Sequence, residues 1–145
     1  MQLDFWQLSR DPLERVVALI AERTIGAGEK LLVVASDEGQ RAAMSRALWD
    51  SQPEAFLANG EAIAPHAARQ PILLSADCQA CNGARYLVLA DGDWRDAADA
   101  FERVFLLFSD AGAPAAREVW RRFDGREDVR RSYYALEEGK WIRKA

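Results

Sequence analysis

Three short apolar runs constrain the fold of this chain more than any other feature. They are Leu31–Ala35, Ile72–Leu74 and Tyr86–Ala90, and no charged side chain interrupts them. An apolar run without polar alternation is typical of a strand that is covered on both faces, as in a parallel sheet between layers of helices. Half of the 145 residues are hydrophobic, so the chain can supply the core that such a sheet requires.

Helix signals surround the first of these runs. Asp11–Glu14 combines an N-cap residue, a proline and a first-turn carboxylate, which predicts the start of a helix. Gly26 should end this helix. Ser36 should cap a second helix that stops near Asp50, and residues 53–71 are expected to be irregular because they are rich in proline.

The remaining segments complete an α/β pattern. Leu3–Leu8 predicts an opening strand. Apolar residues between Trp94 and Phe108 recur at helical spacing and predict a third helix, a last helix should run from about Pro114 to Phe123, and Ser132–Leu136 predicts a final edge strand. Together these elements predict one three-layer α/β domain over residues 1–145, built on a mostly parallel sheet.

The glycine pair after the first helix does not form a phosphate-binding loop. Gly26–Lys30 lacks the G-x-x-x-x-G-K-[ST] spacing, and it follows a helix and precedes a strand. A phosphate cradle needs the opposite order, because the anion binds the backbone N–H groups at the start of a helix. We therefore expect no P-loop and no nucleotide cofactor.

One further group resembles a metal site. His66, Cys78 and Cys81 could supply three zinc ligands, as in nucleobase deaminases. In those enzymes a glutamate follows the histidine by two residues, and Ala68 stands there in this chain. We expect no catalytic residues and no metal, and we keep as the alternative a small α/β enzyme or metal-binding protein that uses His66, Cys78 and Cys81.

Charge is distributed unevenly along the chain. The formal net charge is -4, which argues against a surface that binds nucleic acid over its whole extent. Residues 1–112 carry 10 basic and 17 acidic side chains, whereas residues 113–145 carry nine and six. The basic C-terminal part is either a docking place for an acidic partner or a solvated helix face. Without a signal-peptide pattern or an apolar run long enough for a bilayer, we expect a cytoplasmic protein that does not contact membranes.

The predicted last helix places an aromatic ring beside two arginines. On a helical wheel Trp120 lies at the border between an apolar arc and the side chains of Arg117 and Arg121. This combination suits a ligand with both an apolar group and negative charge. The alternative is that Trp120 packs at the rim of the core while both arginines are solvated.

A second aromatic region follows the second helix. Trp49, Phe56 and Leu57 lie at the end of that helix and in the loop after it, where exposed apolar side chains are costly. They are either covered by the loop of the same chain or form a protein interface.

Several segments, taken in order, resemble one protein family. The matching segments are Phe5–Leu8, Lys30–Glu38 with Gln40, Ala47–Trp49, Glu54–Leu57, Pro71–Ile72, Phe101–Val104 and Ala116–Arg121. None of these segments is a catalytic signature. Their order and spacing over nearly the whole chain resemble the chi subunit of bacterial DNA polymerase III.

This resemblance implies a Rossmann-like fold and a non-catalytic protein that reaches DNA indirectly. Members of the family bind the acidic C-terminal tail of single-stranded-DNA-binding protein, which ends in an aromatic residue and a free carboxylate. By position, the tail-binding arginine, the aromatic residue and the basic residue after it fall on Arg117, Trp120 and Arg121. Another basic residue of the family site falls on Ala113, a departure that would weaken the site or shift its charge elsewhere.

The resemblance also implies a second partner. Members of the family bind the psi subunit, which connects them to the clamp loader, through an aromatic region that matches Trp49 and Phe56, beside Leu57. Where psi is lacking, another clamp-loader subunit or a helicase would replace it. The C-terminal strand with Arg130 and Arg131 diverges most, so the resemblance implies nothing there.

Overall fold

A single mixed sheet organises the molecule. The computed structural model describes residues 1–9, 11–50, 57–137 and 140–145. The strands formed by these residues are β1 (Gln2–Leu8), β2 (Leu31–Val34), β3 (Asn59–Glu61), β4 (Ile72–Ser75), β5 (Tyr86–Leu89), β6 (Arg103–Ser109), β7 (Arg130–Glu137) and β8 (Lys140–Arg143). Their order across the sheet is β3-β4-β2-β5-β6-β1-β7-β8. Neighbouring strands are parallel except for β7 and β8, which confirms the predicted mostly parallel sheet.

Helices cover both faces of this sheet. They are α1 (Leu13–Gly26), α2 (Glu38–Asp50) and α3 (Ala113–Arg122). Alternate residues of β2 point to opposite faces, and the core divides accordingly: Leu31 packs with residues of α1 and α2, whereas Leu32 packs with residues of α3. The predicted three-layer α/β architecture is therefore confirmed.

The predicted helix over Trp94–Phe108 is wrong. Asp96–Ala100 forms a 3₁₀ helix, and the following residues form β6. Every side chain of Val104–Phe108 is buried, because β6 lies between β5 and β1 with apolar layers on both sides. A continuous apolar run satisfies helical spacing as easily as it satisfies a doubly covered strand.

The predicted edge strand is also wrong in its position. β7 lies inside the sheet, between β1 and β8.

The short strand β3 was missed within the stretch that was expected to be irregular. It pairs with β4 alone, and a three-residue strand such as Asn59–Glu61 leaves little hydrophobic pattern to recognise.

Two predicted helix caps differ from the structure. The amide of Gln40 donates to Asp37 Oδ2 at 2.8 Å, so Asp37 caps α2 in place of Ser36. Pro12 stands at the N-cap of α1 without a side-chain hydrogen bond, so Asp11 does not serve there. Among the described residues, no helix is both long enough and apolar enough to cross a membrane.

Candidate protein-binding surface

Helix α3 separates an apolar face from a cationic one. Strand β6 leads through a short 3₁₀ helix, Asp110–Gly112, directly into α3. Ala116 and Val119 are buried against the sheet, whereas Arg117 and Arg121 are exposed. The 3.6-residue period of the apolar side chains therefore orients both guanidinium groups toward solvent.

Trp120 forms the junction between α3 and the sheet. Its ring lies 5.1 Å from the ring of Phe5 and 6.2 Å from the ring of Tyr133, edge-on in both cases. The guanidinium carbon of Arg131 lies 4.5 Å from the centroid of the same ring. Trp120 is partly buried against the core, so its indole is a fixed element between the two layers. The sequence left open whether Trp120 packs at the rim of the core, and the structure places its ring there.

Arg117 and Arg121 differ from the ring in having no hydrogen-bond or ion-pair partner among the described residues. Neither Arg117 nor Arg121 makes a hydrogen bond or an ion pair with the residues that the structure describes. Burial raises the pKa of the Tyr133 phenol, and the positive charge of Arg117 opposes that rise. The field of Arg117 therefore reaches the aromatic group around Trp120, while its donors remain available to a ligand.

A chain of polar contacts fixes the floor of this surface. The Tyr133 hydroxyl donates to Gln7 Oε1. Gln7 Nε2 then donates to Asp110 Oδ1 at 2.8 Å. These contacts join β7, β1 and the turn before α3, so the residues beneath Trp120 are held in place by three elements that are distant in sequence.

Sequence reasoning missed Arg131. This residue lies on β7, where the two-residue period places it on the same face as Tyr133. That period is visible in the sequence, but the face of the sheet on which α3 packs is not. The structure brings Arg131 against Trp120, whereas Ala113 is 5% exposed and packs into the core, so its position contributes no charge.

The second aromatic region is divided by the structure. Trp49 is 53% exposed at the last turn of α2. Leu57 is 2% exposed and belongs to the core on the α1 and α2 side, and Phe56 lies outside the described residues. Trp49 thus presents apolar surface to solvent, whereas Leu57 is a buried core residue.

Comparison with known families gives one match. The model of the family described as DNA polymerase III chi subunit, HolC, matches residues 1–128. The chain belongs to this family. The match includes all of α3, whereas β7 and β8 lie beyond it. A comparison with curated protein sequences finds no significant match.

The chi subunit family is a non-catalytic component of the DNA polymerase III holoenzyme, and the Cys78 thiol does not favour an enzyme. Burial raises the pKa of Cys78, an effect that exceeds the opposing charge of Arg95. A raised pKa keeps the thiol protonated and poorly nucleophilic. His66 is exposed, and the described residues contain no group of three histidine, cysteine or acidic side chains that could hold a metal ion.

An internal ion pair lies at the carboxyl end of β5. In open α/β sheets ligands bind at the carboxyl ends of the strands, where the strand order reverses. Here the carboxylate of Asp91, just after β5, accepts the Ser36 amide at 3.0 Å and pairs with Arg95 at 2.9 Å. Burial raises the pKa of Asp91, but these hydrogen bonds outweigh it and lower the pKa. The charge of Asp91 is therefore neutralised by contacts within the chain.

Proposed function

We propose that this chi-family chain binds the acidic C-terminal tail of single-stranded-DNA-binding protein through Arg117, Trp120 and Arg121. Its accessory role in DNA replication follows from the family. The tail would bring the chain, in the cytoplasm, to DNA already coated by the binding protein. Residues 1–145 would form the single domain that carries this site. The observation that carries the proposal is the pair of exposed arginines next to a fixed indole on α3, neither of which has a hydrogen bond or an ion pair among the described residues.

The chemistry of that surface matches the chemistry of such a tail. A terminal carboxylate and acidic side chains need several N–H donors, which a guanidinium supplies in a planar fork. A terminal aromatic residue needs apolar area, and the partly buried indole of Trp120 presents a rigid edge of it. Because Arg117 and Arg121 have no ion pair with the described residues, tail binding would break no ion pair within that part of the chain.

We further propose a second partner on the opposite side of the sheet. Trp49 and Phe56 would bind the psi subunit, or the clamp-loader subunit or helicase that replaces it. The exposure of Trp49 supports this, because an isolated indole at a helix end gains free energy when a partner covers it. Leu57, which the sequence placed in the same interface, is buried in the core and takes no part in this contact. α2 and α3 lie on different faces of the sheet, so both partners can bind at once.

A peptide titration tests the first interface. The tail peptide is added to the full chain in a calorimeter, once as the free acid and once with its C-terminus amidated. We expect the amide to bind roughly tenfold or more weakly, since it lacks the terminal charge that the arginines would hold. Equal affinity for the two peptides would refute a site built on carboxylate recognition.

A further inference from the structure

Strand β7 places a third arginine at the proposed tail site. Arg131 lies beyond the family match, yet its guanidinium rests on the ring of Trp120. Its Nη1 donates to the Trp120 carbonyl and, at 2.7 Å, to Oδ1 of Asp124. The Arg131 side chain remains 20% exposed and that of Asp124 63% exposed. The Arg131–Asp124 pair therefore lies at the surface, beside the indole of Trp120.

This guanidinium keeps unused donors. Among the described residues, acceptors reach its Nη1 only. A guanidinium carries five N–H donors in a fixed fork, so Nε and Nη2 remain able to bind a carboxylate. Asp124 neutralises part of the charge of Arg131 in the free protein, and its exposed carboxylate would also repel an acidic ligand.

Arg131 supplies positive charge at the Trp120 ring, whereas Ala113 supplies none. Ala113, at the start of α3, is buried and apolar, whereas Arg131 approaches Trp120 from β7. The geometry points to Arg131 as a further residue that binds the tail carboxylates, with Asp124 as the internal competitor that limits its affinity. This inference rests on the proposed function, and it adds to that function a residue and a regulating contact from the divergent C-terminal strands.

A double-mutant cycle on the full chain tests the inference with the free-acid tail peptide. Asp124→Asn should tighten binding about two- to fivefold, the amount expected when an exposed ion pair no longer competes. Arg131→Gln should weaken binding about fivefold. The variant loses one charge-assisted contact to the tail, but it also loses the ion pair with Asp124, which competes with the tail in the wild type. In the Arg131→Gln background, Asp124→Asn should have no effect beyond that of a matched control.

Glu127→Gln is that control. It removes one exposed negative charge from the same connection between α3 and β7, and its effect should be small and independent of Arg131. Binding by Arg131→Gln that equals wild type, or an Asp124→Asn effect no larger than that of Glu127→Gln, would overturn the inference. Should Arg131→Gln fail to fold, the comparison of the two acidic variants still decides.

Failure of the proposed function would look different. Wild type that does not bind the peptide, or binding that is insensitive to Arg117, would remove the tail site and with it the role of Arg131. Wild type that binds and depends on Arg117, but shows no coupling between residues 124 and 131, would retain the tail site and reject the inference alone.

Discussion

Replacing Arg117 with alanine should weaken binding of the tail peptide without unfolding the protein. Arg117 is exposed on α3 and has no hydrogen bond or ion pair among the described residues. Its removal therefore leaves no buried partner unsatisfied. Surface substitutions of this kind change the free energy of unfolding by about 0.5 kcal/mol or less, so the thermal midpoint should stay close to that of wild type.

The magnitude follows from the kind of contact that would be lost. A hydrogen bond between charged groups contributes roughly 1.5 to 3 kcal/mol to binding. That range corresponds to roughly a ten- to 150-fold increase in the dissociation constant. The value should lie toward the lower end if Arg121 and Arg131 compensate, because Arg121 neighbours Arg117 on the exposed face of α3 and Arg131 stacks on the Trp120 ring.

Calorimetry with a matched control measures this effect. Arg122→Ala removes one positive charge from the same helix, but two positions after Trp120 its side chain points about 160° away from that ring. It should change affinity about twofold or less, through the long-range field alone. Equal affinities for wild type and Arg117→Ala, or equal losses in the two variants, would refute the assignment of Arg117 to the site.

Four further outcomes are expected. Raising the salt concentration from about 50 to about 500 mM should weaken tail binding, because exposed charges are screened; an unchanged affinity would contradict a basic site. Phe56→Glu should abolish capture of a psi-like partner in a pull-down, since a charge at an aromatic hot spot can cost about 2 kcal/mol or more of binding free energy. The same variant should leave tail binding intact. An unfolded variant would instead identify Phe56 as a core residue. Naked single-stranded oligonucleotide should remain free at roughly 1 µM protein and physiological salt, because the net charge is -4, whereas strand coated with its binding protein should recruit the chain; tight binding to the naked strand would argue for a direct nucleic-acid role. Asp91→Asn should lower the free energy of unfolding by about 1 to 3 kcal/mol at neutral pH. The difference from wild type should shrink near pH 3, because the hydrogen bonds that lower the pKa of Asp91 stabilise the fold only while its carboxylate is charged. A difference that stays constant with pH would refute that cause.

Local signals in the sequence determined most of the elements. The apolar runs of β2, β4 and β5 lie where doubly covered strands were predicted, because burial on both faces demands apolar side chains at every position. The ends of α1 and α3 also lie close to their predicted positions, since glycine and the apolar period both act within a few residues. The wheel of α3 likewise separated the exposed Arg117 from the buried Val119 before any tertiary contact was known.

Only the tertiary structure decided which partners meet across the chain. Val104–Phe108 is a strand because β5 and β1 pair with it on both sides, and a fully apolar run carries no period that could indicate this. β7 is internal because β8 covers its outer edge. Arg131 reaches Trp120 because β7 pairs with β1 beside Phe5, a contact between elements that depends on strand order. Strand order is a long-range property, set by the free energy of packing whole layers, and short windows of sequence do not encode it.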